Sequence, residues 1–449
     1  MIVLIIAIPY FLFMYYLFRR GHSWTRACTG LAATKPFKWT LAMIFLFMAL
    51  SPAIAFFLPT GNLRHVLNIV ANFHLGIVIY LGSLVVLGDL VKFILKKTHL
   101  ISQKTLESRK LFATVGGVIL ICVVTVCIYG GIRSKDIVLD ERIAMINEKL
   151  PVAEKQIGSG SNEDYPFKKG KTMTIAVVAD LHLAYNSGLK QVETVVEHIN
   201  KMNADLVCMP GDFFTNVYDD VRQPEKIIKE LRKIKSRYGV YGCWGNHDVD
   251  EPILAGFTFT SFNKKAPVHD PRMISFLKRA GIKMLEDEYV LVDGKFYVAG
   301  RLDAEKPGIA KDPESGSDKI PQRQPLSKVL KGIDHTKPII MIDHEPRELP
   351  ETARAGVDLD ISGHTHDGQF FPLNLTQYFI WPNPYGIQLY DRSGKALEEE
   401  KLERYETEDP KAEKIDTMTS FVTSGAGVYG PNMRVGTDSE VVKLTVKFK

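Results

Sequence analysis

Four runs of about 20 apolar residues within the first 132 positions restrict this chain's folding more than any other feature. They are Ile2–Phe18, Trp39–Leu58, Ile69–Gly88 and Leu111–Ile132. Each is close to the length that crosses a hydrocarbon layer about 30 Å thick. Inside such a layer every backbone N–H and C=O must find a partner within the protein, so runs of this kind fold as helices. The first run is the shortest. No basic residue precedes it, Arg19 and Arg20 follow it, and no small-residue cleavage site is visible, so it reads as a retained anchor rather than a secretory leader.

The loops set an orientation. Arg19, Arg20, Arg26 and Lys35 lie between the first and second runs, and Lys96, Lys97, Lys104, Arg109 and Lys110 between the third and fourth. Only Arg64 lies between the second and third. Basic loops stay in the cytoplasm. The expectation is a multi-pass protein of the cell membrane whose N-terminus and whose whole chain after Ile132 are extracytoplasmic. His74 and Asp89 fall in or at the edge of the third run, where ionisable side chains are functional candidates by default. Lys92, three residues beyond Asp89, is the expected local partner. Four spans without broken helices or repeats do not make a transporter.

The remaining sequence is of another kind. The chain has 449 residues, too many for one core, and its charge is concentrated after the apolar third. A net charge of +5, much of it in loops beside the spans, is not a nucleic-acid footprint. The five cysteines form no CxxC motif, and Cys208 and Cys243 read as small buried hydrophobes ending two strands. Residues 133–150 are expected to leave the membrane as a helical stalk, and 157–172 to form a polar linker. The domain reading is therefore 1–132 membrane helices, 133–172 stalk and linker, and 173–449 a separate folded domain.

In that last part strand and helix alternate. Thr174–Ala179, Leu206–Met209, Val240–Trp244, Pro338–Ile342 and Leu359–Ile361 are continuous apolar runs, as strands buried on both faces should be. Val192, Val195, Val196, Ile199 and Met202 repeat at helical spacing, as does Ile227–Ile234. Tyr289–Ala299 reads as a hairpin around Asp293-Gly294. Phe421–Ser424 and Val441–Phe448 read as strands. The charged stretches 304–324 and 391–416 are expected as surface excursions. Such alternation predicts stacked sheets with helices outside.

Metal-ligand residues follow these strands in order: Asp180-Leu-His182, Gly211-Asp212, Gly245-Asn246-His247-Asp248, Asp343-His344 and Gly363-His364-Thr365-His366. Five of the twelve histidines lie here. In open α/β sheets, side chains distant in sequence converge beyond the carboxyl ends of strands. Asp180 and His182 can chelate one ion, to which His366 returns. Asn246, His344 and His364 can hold a second, and the two oxygens of Asp212 can bridge both. Any one motif arises by chance; the ordered set does not. Two adjacent divalent cations suit phosphate-ester hydrolysis by a bridging hydroxide. Mn, Fe, Zn and Co all accept such ligands.

This order of motifs resembles the calcineurin-like metallophosphoesterase superfamily from about Thr174 to Phe448. The string Gly363-His364-Thr365-His366-Asp367-Gly368-Gln369, with Asp343-His344-Glu345-Pro346, is similar to its membrane-associated bacterial branch. The resemblance implies a four-layer α/β/β/α sandwich, here preceded by an all-α bundle of about four transmembrane helices. It also implies one cation held by Asp180, His182, Asp212 and His366 and another by Asp212, Asn246, His344 and His364. Asp367 departs from the family's usual glycine and is expected to bring a carboxylate beside the cations. His247 is set apart from the ligands as the candidate proton or hydrogen-bond donor, with Asp248 as its orienting carboxylate.

The expected partner is a phosphomono- or diester, lipid-linked or of the cell envelope, beside the bilayer. Phe370-Phe371-Pro372-Leu373, Tyr378-Phe379-Ile380-Trp381 and Tyr385 follow the last ligands, and Phe257, Phe259 and Phe262 follow Asp248. These aromatics suit a bilayer interface or an acyl groove; a buried cap over the sheet edge is the plainer expectation. The competing reading is a non-catalytic metal-binding sensor or binding protein of the envelope, which would not need the His247-Asp248 pair.

Overall fold

The computed structural model describes residues 2–146, 170–254, 256–258, 268–308, 323–398 and 416–448. The chain divides into two compact units. One is Met1–Ile132 with Ile253–Phe257 and Gly430–Met433; the other is Arg133–Pro252, Thr258–Tyr429 and Arg434–Lys449. Most of the linker, both surface excursions in their central parts, Phe259 and Phe262 lie outside the described residues.

The first unit is helical: α1 Ile2–Cys28, α2 Lys35–Phe57, α3 Asn62–Thr98, the short α4 Gln103–Leu106 and α5 Arg109–Arg133. Among the described residues, α2, α3 and α5 are long and apolar enough to cross a membrane. The expected count of four spans is therefore approximate. Lys92 is not the partner of Asp89. That carboxylate takes a hydrogen bond from Tyr16 Oη (2.6 Å) and pairs with Arg20, both on α1. His74 Nε2 lies 3.3 Å from Tyr10 Oη. Burial between helices favours partners across the interface over the next turn of one helix, because an unpaired charge there is costly.

The second unit carries β1 Ile137–Ile146, β2 Thr172–Val177, α6 Leu189–Met202, β3 Leu206–Pro210, α7 Pro224–Leu231 and β4 Val240–Cys243. Next in sequence is a two-stranded ribbon of β5 Ile253–Leu254 and β6 Phe257–Thr258, all but Thr258 counted with the first unit. Then come α8 Pro271–Ala280, β7 Lys283–Met284, β8 Glu288–Val292, β9 Phe296–Gly300, α9 Leu326–Val329, β10 Ile339–Ile342, α10 Leu349–Arg354 and β11 Leu359–Ser362. The last are α11 Gln377–Ile380, β12 Gly386–Asp391, β13 Thr417–Val422 and β14 Ser439–Phe448. One six-stranded sheet runs β1-β14-β2-β3-β4-β7 and the other β12-β13-β11-β10-β9-β8.

Three apolar layers hold the sheets. Alternate residues of a strand face opposite sides, and β10 shows it. Ile340 and Ile342 enter the layer between the sheets with Ile175, Leu206, Leu359 and Phe421. Ile339 and Met341 face α9 and α10, where Val329, Leu349 and Ala353 cover them. On the far side Val207 and Met209 lie under Val195 and Ile199 of α6, Ile227 of α7 and Phe276 of α8. The order is α/β/β/α, as the sequence predicts.

The helical stalk is not formed. Ile137–Ile146 is an edge strand, parallel to β14 in the register Ile137 to Ser439 through Ile146 to Phe448. Its β-branched residues suit a strand, but its partner lies about 300 residues away in sequence. The Asp293-Gly294 hairpin forms as expected, both residues having positive φ (51° and 68°), the requirement of a tight two-strand turn.

Candidate metal centre

Each expected donor lies just beyond the carboxyl end of a parallel strand: Asp180 and His182 after β2, Asp212 after β3, Asn246 after β4, His344 after β10, His364 and His366 after β11. Backbone bonds join these loops. Asp180 N donates to Gly211 O, His182 N to Asp212 O and Gly363 N to His344 O, all at 3.0 Å. The glycines permit this closeness. A Cβ on Gly211 would lie 2.6 Å from His344 Nδ1, and one on Gly245 would strike the Asp212 carboxylate. Asp180, His182, Asp212, His364 and His366 all have positive φ, between 46° and 69°. That region is uncommon for side-chain-bearing residues, and strain of this sort gathers at functional sites.

The donors fall into two groups. Asp180, His182 and His366 form one and Asp212, His344 and His364 the other, with ligand atoms in each within 4.8 Å of one another. Asp212 faces both, its Oδ2 being 3.5 Å from His182 Nε2 and 3.4 Å from His344 Nε2. Asn246 Oδ1 lies 3.1 Å from His344 Nε2 and 3.2 Å from His364 Nδ1, so it joins the second group.

The electrostatics fit cations. Burial pushes His182 down to about 4 and holds His364 and His366 well below the ordinary histidine value, so each ring is neutral with one nitrogen free to accept. His182 Nε2 nevertheless faces His366 Nε2 at 3.0 Å, and His364 Nδ1 faces His344 Nε2 at 3.1 Å. An N–H of one ring or a shared cation satisfies such a pair, whereas two facing lone pairs would repel. Burial works against ionising Asp212, yet His344, His247 and His182 hold it well below the usual carboxylate range. Burial likewise opposes charge on His344, but Asp212, with Asp180 and Asp303, drives it well above. Burial, with the charge of Asp212, raises Asp180 to about 7. This mixture of buried carboxylates, imidazoles and one amide oxygen suits Mn, Fe, Zn or Co.

The structure corrects the partner given to His247. Asp248 accepts from Gly245 N (2.8 Å) and Phe214 N (2.9 Å), stapling two loops together. His247 Nδ1 instead meets Asn216 Oδ1 at 2.7 Å, and Tyr429 stacks on its ring at 4.1 Å. His247 N also donates to Asp212 Oδ1 (2.8 Å), tying it to the metal-ligand loop. Asp367, φ 48°, occupies a left-handed position, which is why glycine suits it and why Asp is tolerated. Burial raises its carboxyl to about 6, and the charges it senses are Arg434, Glu440 and Asp438. It belongs to neither donor group.

Sequence reasoning missed three supports. Asn216 has φ 58°, a conformation Asn tolerates, and lies four residues after Asp212. Arg434 is fully buried behind His366, donating to its backbone O at 3.0 Å with Nη2 3.2 Å from its Nδ1, and to Ser424 O and Gly427 O. The loop after β13 closes on Asp180: Gly427 N donates to Asp180 O at 2.7 Å. None contains a metal-ligand pattern; a run of Gly425, Gly427 and Gly430 was the available signal. The expected buried aromatic cap is not found. Phe370 is buried, but Phe371, Tyr378, Phe379 and Ile380 are exposed, and Tyr385 Oη bonds Glu440 instead.

Comparisons with known proteins agree with this geometry. Residues 173–368 match the model of the calcineurin-like phosphoesterase family. A transmembrane protein with metallophosphoesterase domain from Danio rerio is 25% identical over 283 residues, 61% of this chain and 53% of that protein. An uncharacterized metallophosphoesterase of Aquifex aeolicus is 24% identical over 281 residues, 63% of this chain and 87% of that one. The chain spans about half the length of the first of these relatives. The calcineurin-like phosphoesterase YfkN of Bacillus subtilis shares 16% identity over 45% of this chain and 73% of its own, at a TM-score of 0.28, which carries no argument. The family match over residues 173–368, the layer order and the site geometry agree in making this part of the chain similar to the calcineurin-like phosphoesterases.

Proposed function

We propose that the chain is a membrane-anchored, metal-dependent phosphoesterase with a dinuclear centre, acting on phosphomono- or diesters of the cell envelope. The observation that carries this reading is Asp212. One carboxylate oxygen lies within 3.5 Å of a ring nitrogen from each donor group. Asp180, His182, Asp212 and His366 would hold one cation, and Asp212, Asn246, His344 and His364 the other. Two divalent cations so held supply Lewis acidity at the phosphoryl group and lower the pKa of water.

The chain's own residues supply the rest. Asn216 Oδ1 holds the Nδ1 edge of His247 and Tyr429 fixes the ring plane, so Nε2 is aimed at the site. Burial pushes His247 down to about 3, so the imidazole is neutral at rest. An anionic phosphoester beside it favours the protonated form, which then donates to the phosphoryl or leaving oxygen. Asp248 keeps Phe214 and Gly245 in register and so fixes Asn216 and Asn246 indirectly. The basic loops favour an extracytoplasmic catalytic domain.

Hydrolysis of bis-p-nitrophenyl phosphate by the full-length chain, with and without added Mn, tests the reading. Mn-stimulated turnover that disappears in Asp212→Ala is expected. Turnover unaffected by chelation or by that substitution would refute it.

A further inference from the structure

One stretch of the second unit breaks the rule that apolar side chains turn inward. Between Asp367 and Asp391 the chain has 23 residues without Asp, Glu, Lys, Arg or His, in a protein that is 24% charged. Of ten large apolar residues exposed in this unit among those described, six lie in this stretch: Phe371, Leu373, Leu375, Tyr378, Phe379 and Ile380. Phe379 is 91% exposed. A patch this concentrated marks an interaction surface rather than ordinary surface scatter.

The stretch is built rigidly onto the metal-ligand loop. Asn374 N donates to Phe370 O (2.8 Å) and Phe371 N to Val435 O (2.7 Å). Leu373–Thr376 and Gln377–Ile380 form successive helical turns, and a Cβ on Gly368 would collide with Asn374, so the turns lie directly against the ligand loop. At their far end Trp381 meets the His364 ring edge to face, centroids 4.9 Å apart. The guanidinium of Arg347, held by Glu345 and Glu305, lies 5.4 Å above the Trp381 ring.

We propose that residues 371–381 are an interfacial element that inserts into the bilayer carrying the chain and presents the centre to phosphoesters of lipid headgroups. The substrate part rests on the phosphoesterase reading; the insertion does not. The occupant follows from composition and connectivity. Uncharged aromatic and aliphatic tips ending in a Trp beside an Arg match the passage from acyl chains to phosphates. The chain also brings its bilayer with it: three helices are able to cross one, and it leaves α5 at Arg133 and enters β1 at Ile137. A tethered membrane competes for this patch at high effective concentration.

The test uses the full-length chain in nanodiscs of phosphatidylethanolamine and phosphatidylglycerol, with the exposed Cys28 and Cys122 changed to Ser. Phe379→Cys carries an environment-sensitive fluorophore; Lys395→Cys, exposed and outside the stretch, is the control. Lipids brominated on their acyl chains are expected to quench the label at 379 at least about threefold more than at 395. Equal quenching at both positions overturns the proposal, as does quenching replaced by label–label energy transfer when two chains share a disc, which would make the occupant a second copy. In a second arm, Phe379→Ser with Ile380→Ser is expected to lower kcat/KM about tenfold on phosphatidic acid in the disc. Turnover of p-nitrophenyl phosphate should stay unchanged. Equal loss on both substrates overturns the headgroup part. Absence of turnover on either by the parent chain counts against phosphoesterase activity, while quenching still decides insertion.

Discussion

The two units of this chain obey one rule with opposite results. In the helical unit the large side chains point outward, as Leu12, Trp39, Phe57 and Ile121 do, while Asp89, Arg20 and Tyr16 find each other between helices. In the α/β unit Ile175, Leu206, Ile340 and Leu359 are fully buried, and polar side chains collect where strands end. What differs is the solvent expected outside. The cost of burying a polar group without a partner is the same in both, and both meet it with specific partners from distant elements. The comparison also shows where buried polar side chains are concentrated. The helices hold a half-buried ion pair, Arg20 with Asp89, whereas the α/β unit buries Asp180, Asp212, Asp248, His182 and His344 together. Cations between these carboxylates and imidazoles would offset the cost of burying so dense a polar cluster.

The contrast breaks most sharply at Asp212. Asp212→Asn should lower turnover on the order of 10³-fold or more, measured under saturating Mn. A variant within tenfold of the parent would show that the two donor groups work independently. His247→Ala should lower kcat about 10²–10³-fold with metal content unchanged. Asn216→Ala, which only positions that ring, should cost about 10-fold and move the acidic limb of the pH profile. An unchanged profile would leave Asn216 a purely structural role.

Smaller effects separate buried polar groups from exposed ones. Asp248→Ala strands two buried N–H groups, at Phe214 and Gly245, and should cost about 2–4 kcal/mol in thermal unfolding. An unchanged Tm would remove the staple. Burial raises the Asp360 carboxyl to about 7, with Asp343 adding to the effect. The folded protein then holds a proton that the unfolded chain releases near pH 4, so this residue's contribution falls as pH rises from about 4 to 7 and is flat above. Asp360→Asn should therefore gain stability relative to the parent at pH 8 but not at pH 4; a pH-independent difference would contradict the assignment. At the other extreme, the exposed Lys443–Glu141 pair should be worth less than about 0.5 kcal/mol, read as the Tm change of Lys443→Ala.

Much of the site was legible because its chemistry is local. A ligand must leave a strand end, and each buried parallel strand announces itself as an apolar run, as at Leu206–Met209 and Pro338–Ile342. The Asp293-Gly294 turn is legible for the same reason, since two positive-φ residues are needed there. What stayed hidden depends on partners far away in sequence. Ile137–Ile146 becomes a strand only because β14 offers it an edge. Asp89 turns to Arg20, 69 residues away, rather than to Lys92 on its own helix. Asn216 takes the place expected for Asp248 because loop geometry, not adjacency, decides which oxygen reaches His247. Arg434 has no motif at all; its place behind His366 follows from the fold of the 424–437 loop.

The metal content of the purified full-length chain tests the central claim most directly. Elemental analysis after saturation with Mn and removal of free ion should find two equivalents per chain, falling to about one in His182→Ala, where the second donor group is left intact. A folded parent chain that keeps fewer than two, or an His182→Ala variant that still keeps two, would contradict the paired centre from which the proposed chemistry follows.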